Sequence, residues 1–129
     1  MIFRKEIIGK QFDEERALYH LKNTDVLDCS FAGPADGESA LKEARNVRLE
    51  NCTFSLRYPL WHTEGFQLHD SKLEEGCRAP IWYAKDGTIT DSDIHGTKAI
   101  RECSNIKISD CTITSEEFGW KSGGITVTD

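Results

Sequence analysis

The sequence has no apolar run near the roughly 20 residues that a membrane-crossing helix needs, and no Cys-x-x-Cys pair. Its five cysteines, Cys29, Cys52, Cys77, Cys103 and Cys111, are odd in number and stand beside no histidine cluster. That argues against a disulfide scaffold and against a zinc site. The opening residues 1–12 carry Arg4, Lys5, Glu6 and Lys10 and lack the apolar core of a secretory signal, so the cytoplasm is the expected location. Basic residues are in deficit too: 16 Lys and Arg against 22 Asp and Glu give a net charge of -6. Neither nucleic acid nor membrane is expected as a partner, because phosphate binding needs a basic surface. The 129 residues, 38% hydrophobic and 29% charged, suit one folded domain over 1–129 and leave no room for a separate cofactor domain. No cofactor and no metal is expected.

What is present is a repeat. An apolar residue, a spacer, Asp or Asn, a small residue, a spacer and a second apolar residue recur along the chain. The copies are Val26-Leu27-Asp28-Cys29-Ser30-Phe31, Leu49-Glu50-Asn51-Cys52-Thr53-Phe54, Leu68-His69-Asp70-Ser71-Lys72-Leu73, Ile89-Thr90-Asp91-Ser92-Asp93-Ile94 and Ile108-Ser109-Asp110-Cys111-Thr112-Ile113. The markers Asp28, Asn51, Asp70, Asp91 and Asp110 lie 23, 19, 21 and 19 residues apart, and Asp129 is the next in phase. A second element runs in step: Leu41-Lys42-Glu43, Leu60-Trp61-His62, Ile81-Trp82-Tyr83, Ile100-Arg101-Glu102 and Trp120-Lys121-Ser122, each preceded by a small residue or Pro. Phe12 lies 19 before Phe31 and Leu18 lies 23 before Leu41, so 1–22 is expected to be a degenerate first coil that caps the repeats of 23–129.

Each copy holds two or three short segments rich in β-branched and aromatic residues, and none has the period of a helix. Coils of about 20 residues whose strands stack on the next coil pair their backbone groups above and below at about 4.8 Å. The expected fold is all-β: a single-stranded right-handed parallel β-helix of about six coils. Alternation turns Ile106 and Ile108 inward, bends the chain at Ser109-Asp110, and places Cys29, Cys52, Ser71, Ser92 and Cys111 in one internal stack of small residues. These cysteines then act as small buried apolar groups. A leucine-rich repeat is the second choice of fold, but the Pro-Leu-Trp and Pro-Ile-Trp segments do not have its leucine spacing.

So arranged, the sequence resembles the pectin-lyase-like right-handed parallel β-helix superfamily. Gly37-Glu38-Ser39-Ala40-Leu41-Lys42-Glu43, Tyr58-Pro59-Leu60-Trp61, Ile81-Trp82-Tyr83 and Phe118-Gly119-Trp120 are similar to an uncharacterised bacterial family within it. Members of that family have no assigned activity. They are longer than this chain, so the resemblance covers the N-terminal half of a member. It implies the β-helix strongly and an activity weakly, because this fold hosts lyases, hydrolases, adhesins and stalks alike.

No catalytic residue can be named. The Gly-His-Gly and Arg-x-Lys of polygalacturonase-like enzymes are absent, and Asp93-Ile94-His95-Gly96 is a partial echo. Asp86, Asp91, Asp93, Arg101 and Glu102 could imitate the calcium cluster and arginine of a pectate lyase. Chance proximity on an acidic, solvated face explains them better.

One constellation merits a hypothesis. Stacking the second element puts Lys42, Trp61, Trp82, Arg101 and Lys121 in one outward column, with Glu43, His62, Tyr83, Glu102 and Ser122 beside it. Indoles flanked by cations suit a sugar or uronate ring. Lys42, Trp61, His62, Trp82, Tyr83, Arg101, Glu102 and Lys121 are the expected ligand site, with an oligo- or polysaccharide as partner. Two other readings stand beside it: a ladder that is covered or stacks on itself, and an interface. The incomplete last coil, 125–129, is expected to leave open edges that favour self-association. A lyase- or hydrolase-like enzyme and a self-assembling structural module are the alternative functions.

Overall fold

In a computed structural model, which describes residues 5–35, 37–74 and 76–128, the strands form a parallel β-solenoid with no helix among those residues. The first coil holds β1 (Lys5–Ile8) and β2 (Gln11–Phe12), and the second β3 (Lys22–Leu27) and β4 (Ser30–Phe31). The third to fifth coils each have a long strand and two short ones. These are β5 (Arg45–Glu50), β6 (Thr53–Phe54) and β7 (Leu60–Trp61), then β8 (Glu64–His69), β9 (Lys72–Leu73) and β10 (Ile81–Trp82), then β11 (Lys85–Thr90), β12 (Asp93–His95) and β13 (Ile100–Arg101). β14 (Ser104–Ser109), β15 (Thr112–Thr114) and β16 (Gly123–Thr128) follow. The long strands make one sheet in the order β1-β3-β5-β8-β11-β14-β16. The short ones make a six-stranded sheet, β15-β12-β9-β6-β4-β2, and a three-stranded one, β13-β10-β7. All pairs are parallel and in register: Val26, Leu49, Leu68, Ile89, Ile108 and Val127 share one row.

Alternation along the long strands sends Val47 and Leu49, Phe66 and Leu68, and Ile106 and Ile108 into the core, as the pleat requires. Phe12, Phe31 and Phe54 stack inside at 5.2 and 4.7 Å between ring centres. Each fully buried side chain of this size contributes about 1.5–3 kcal/mol. Phe66 extends beneath the next coil, where a Cβ on Gly87 would lie 2.2 Å from its ring, so only glycine fits there.

The small-residue stack is as expected. Cys29, Cys52, Ser71 and Ser92 are buried, and Cys111 is partly so. Ser71 and Ser92 each donate to the carbonyl two residues back, at 2.9 Å, and accept the backbone N–H of Cys52 and Ser71 respectively at 3.1 Å. Burial pushes the thiols up, to about 11 for Cys52 and Cys103 and about 12 for Cys77. They stay protonated and unreactive at neutral pH.

The turns explain the markers. Left-handed backbone conformation, with φ from +42° to +66°, recurs in four columns of six. One is Gly9, Asp28, Asn51, Asp70, Asp91 and Asp110, and another is Asn23, Asn46, Gly65, Asp86, Asn105 and Gly124. Asp, Asn and Gly adopt this conformation at least cost. The other two are Arg16, Ser39, Tyr58, Ala79, Lys98 and Glu117, and His20, Glu43, His62, Tyr83, Glu102 and Lys121. These flank the short strands β7, β10 and β13 and hold residues that avoid it. The next expected marker, Asp129, and part of the expected cap, 1–4, lie outside the described residues.

Candidate functional site

Strands β7, β10 and β13 are two residues long, and in each the first side chain enters the core while the second faces out. Register then dictates the outward row. Trp61 opposes Trp82, Trp82 opposes Arg101, and Arg101 bridges to Trp120. The expectation that Lys121 continues this row is therefore corrected: Trp120 stands there, and Lys121 falls in the neighbouring row with Glu102, whose N–H donates to the Trp120 carbonyl. The miscount has a physical source. Gly119 takes the inward place that Ile100 holds one coil earlier, so the inward row of apolar residues breaks off before Trp120.

The rings and cations form one continuous stack along the coil axis. Lys42 Nζ lies 4.4 Å from the centre of the Trp61 ring. Trp61 and Trp82 stack at 5.0 Å and 12°. The Arg101 guanidinium lies 4.2 Å from Trp82 and 5.1 Å from Trp120. Lys98 and Lys121 reach Trp120 at 4.1 and 4.6 Å. The ring that packs on both indoles is Tyr58, tilted at 6.3 Å from Trp61 and 5.4 Å from Trp82. Both faces of Trp61 and Trp82 are thus occupied within the protein. A sugar cannot stack on them, and what remains accessible is the ring edges and the cation heads. The Trp61 Nε1 is buried without a hydrogen-bond partner.

Beside this stack, His62 and Tyr83 pack face to face at 5.0 Å and 5°. Their contact is a ring stack. The Tyr83 hydroxyl bonds Glu102, which raises the tyrosine above its ordinary value and, as the leading cause, holds the Glu102 carboxyl below its own. Glu102 also sits 3.3 Å from Arg101. The first coils repeat the device: the Tyr19 hydroxyl donates to Glu43 at 2.8 Å and lowers that carboxyl. Lys98 pairs with Glu117 at 3.4 Å. A groove of about 300 Å³ opens alongside, lined by Tyr58, Arg78, Lys98, Arg101, Glu116 and Glu117 among others.

The structure brings together Lys42, Trp61, His62, Trp82, Tyr83, Arg101, Glu102 and Lys121. Sequence reasoning missed Trp120, Tyr58 and Lys98. Counting 19 residues from Arg101 finds the first, and a second column drawn two places before Leu60 and Ile100 finds the others.

Among the described residues one group offers metal-ligand atoms within 4.8 Å of one another: Glu50, His69 and Asp70. Arg48 holds Glu50 at 2.7 Å, and the two imidazole nitrogens of His69 face Thr90 at 2.8 Å and Asp70 at 3.2 Å. The group is thereby explained as a surface ion-pair network.

The family model described as a protein of unknown function (DUF3737) matches residues 5–129 of the chain. Among curated proteins, none matches.

Proposed function

The chain belongs to the DUF3737 family, which brings no activity with it, and we propose from the geometry that this β-solenoid is a non-catalytic module that binds acidic oligosaccharides. The observation that carries the reading is the groove beside the Trp stack. It sets Arg78, Lys98 and Arg101 against two carboxylates and a tyrosine wall, in a protein whose overall charge is -6. An extended chain of uronate residues lies along the coil axis, its carboxylates on the cation heads and its rings against the edges of Trp82 and Trp120. Cations held over indoles are oriented before a ligand arrives, which lowers the ordering cost of binding. The kinship with pectin-lyase-like β-helices belongs to the same reading.

Neither Glu43 nor Glu102 is set up as a general acid. Glu43 and Glu102 are both pushed down by a tyrosine hydroxyl. A general acid of a glycosidase needs the opposite shift.

Titration of tryptophan emission with oligogalacturonate, with product absorbance followed in the same samples, tests this. Saturable change without product is expected. It should weaken about tenfold in Arg101→Gln and in Lys98→Gln, since a charge-assisted hydrogen bond is worth about 1.5–3 kcal/mol. Equal binding of a neutral oligosaccharide overturns the charge argument, and product formation overturns the non-catalytic one.

A further inference from the structure

One column on the turns before β7, β10 and β13 distributes its charges unevenly. The N–H groups of Ser39, Tyr58, Ala79 and Lys98 donate to the carbonyls of Arg57, Arg78, Thr97 and Glu116. The residues just ahead of these left-handed positions, Glu38, Arg57, Arg78, Thr97 and Glu116, therefore stack on successive coils. Glu38 and Arg57 stand on adjacent coils and pair at 3.4 Å. Further along, Thr97 stands between Arg78 and Glu116. At about 4.8 Å per coil their backbones are two steps apart. Neither side chain has an ion pair or hydrogen bond among the described residues.

Both charges border a space that continues around the corner. The groove beside the Trp stack shares Arg78, Thr97 and Glu116 with a second one of about 540 Å³. This second groove turns away from the coil axis, toward the ends of β12 and β15, where His95, Gly96, Thr114 and Ser115 line it. Its floor is fixed. The Ser115 hydroxyl donates to the Gly96 carbonyl and accepts the Ala99 N–H at 3.0 Å. Gly96 is required there, since a Cβ would lie 2.2 Å from the Cys77 carbonyl oxygen. The lining also differs in charge from that of the first groove. Lys98 and Arg101 are not part of it, and His95 is engaged by Asp93 at 3.0 Å. The exposed Thr97 and Thr114 offer hydroxyls.

We propose that the acidic oligosaccharide bound beside the Trp stack is a branched one, a uronate chain whose neutral side residue enters this second groove. The inference rests on the acidic-oligosaccharide reading of the first groove and names its ligand more closely. Arg78 takes the carboxylate of the uronate that bears the branch, in the bidentate manner of a guanidinium. Glu116 repels a second carboxylate and accepts sugar hydroxyls instead. The branch meets Thr97 and Thr114 over a floor that needs no ordering on binding. The groove's volume lies in the range of small-ligand sites.

Calorimetric titration with oligogalacturonate, bare or carrying single xylose branches, tests this. At equal backbone length the branched ligand should bind about tenfold more tightly, the size of one or two added hydrogen bonds. Arg78→Gln should weaken both. Thr114 is exposed at the end of β15, so Thr114→Trp is expected to fold. By filling the second groove it should bring the two ligands to equal affinity. Branched binding no tighter than bare, or an advantage that survives Thr114→Trp, overturns the branch and leaves the acidic-oligosaccharide reading standing. Binding of neither ligand overturns both.

Discussion

Two ladders of rings run along this solenoid at the spacing of one coil, and they are stabilised by different means. Inside, Phe12, Phe31 and Phe54 stack with Phe31 and Phe54 fully buried, and transfer out of water supplies the energy. Outside, Trp61 and Trp82 stack at a similar distance but are only partly covered, and Lys42 and Arg101 close the two ends. Parallel register alone forces like positions to meet. It does not decide what they are worth. An aromatic row becomes a core when the sheets close over it. When it faces solvent, it becomes a base on which cations are held.

Truncation should separate the two most sharply. Phe31→Ala is expected to cost about 3–5 kcal/mol, as large core deletions do. Trp82→Ala should cost roughly half of that, because part of its surface stays in water. Urea unfolding of both variants measures this, and equal losses would erase the distinction.

The left-handed turns give a smaller contrast. The corner between β14 and β15 uses Asp110, with φ +54°, while the turn before β10, beside the outer ladder, uses Ala79, with φ +42°. Asp110→Ala should cost about 1 kcal/mol through the left-handed penalty. Ala79→Gly should gain about 0.5 kcal/mol, because relief of that penalty exceeds the added freedom of the unfolded chain. Thermal melts of the two variants should move in opposite directions.

The smallest effect concerns pH. Glu102 is depressed in the folded state, so its share of stability is present above its ordinary value of 4.5 and fades as pH falls through the lowered one. Tyr83 is raised, so its share is present below its ordinary value of 10.0 and fades as pH rises through the raised one. Tyr83→Phe keeps the stack on His62 and removes the hydroxyl. Its melting temperature should fall short of the parent's between those limits and converge with it outside them. A constant gap at all pH values would show that the hydroxyl acts only through packing.

The fold was legible because its markers are the residue types that the corner demands. Asp28, Asn51, Asp70, Asp91 and Asp110 tolerate a left-handed turn, and Cys or Ser follows in most copies because the interior is tight there. The turns around β7, β10 and β13 left no such trace. Tyr58, Ala79, Lys98, His62 and Tyr83 take the same conformation without belonging to a residue class that signals it. Trp120 and Lys121 were assigned one place off because Gly119 interrupts the apolar row used for counting. The candidate face was thus legible as a set of residues. Which ring faces were occupied was not, since that depends on Tyr58 and Arg101 packing across coils.

The in-register stacking of the coils also has a thermodynamic meaning. Each long strand pairs only with those of the adjacent coils. The molecule is therefore close to a one-dimensional lattice, whose free energy is a sum of coil terms and nearest-neighbour couplings. In such a lattice a weakened coupling is felt locally and decays along the axis, and order can start at any adjacent pair and propagate both ways.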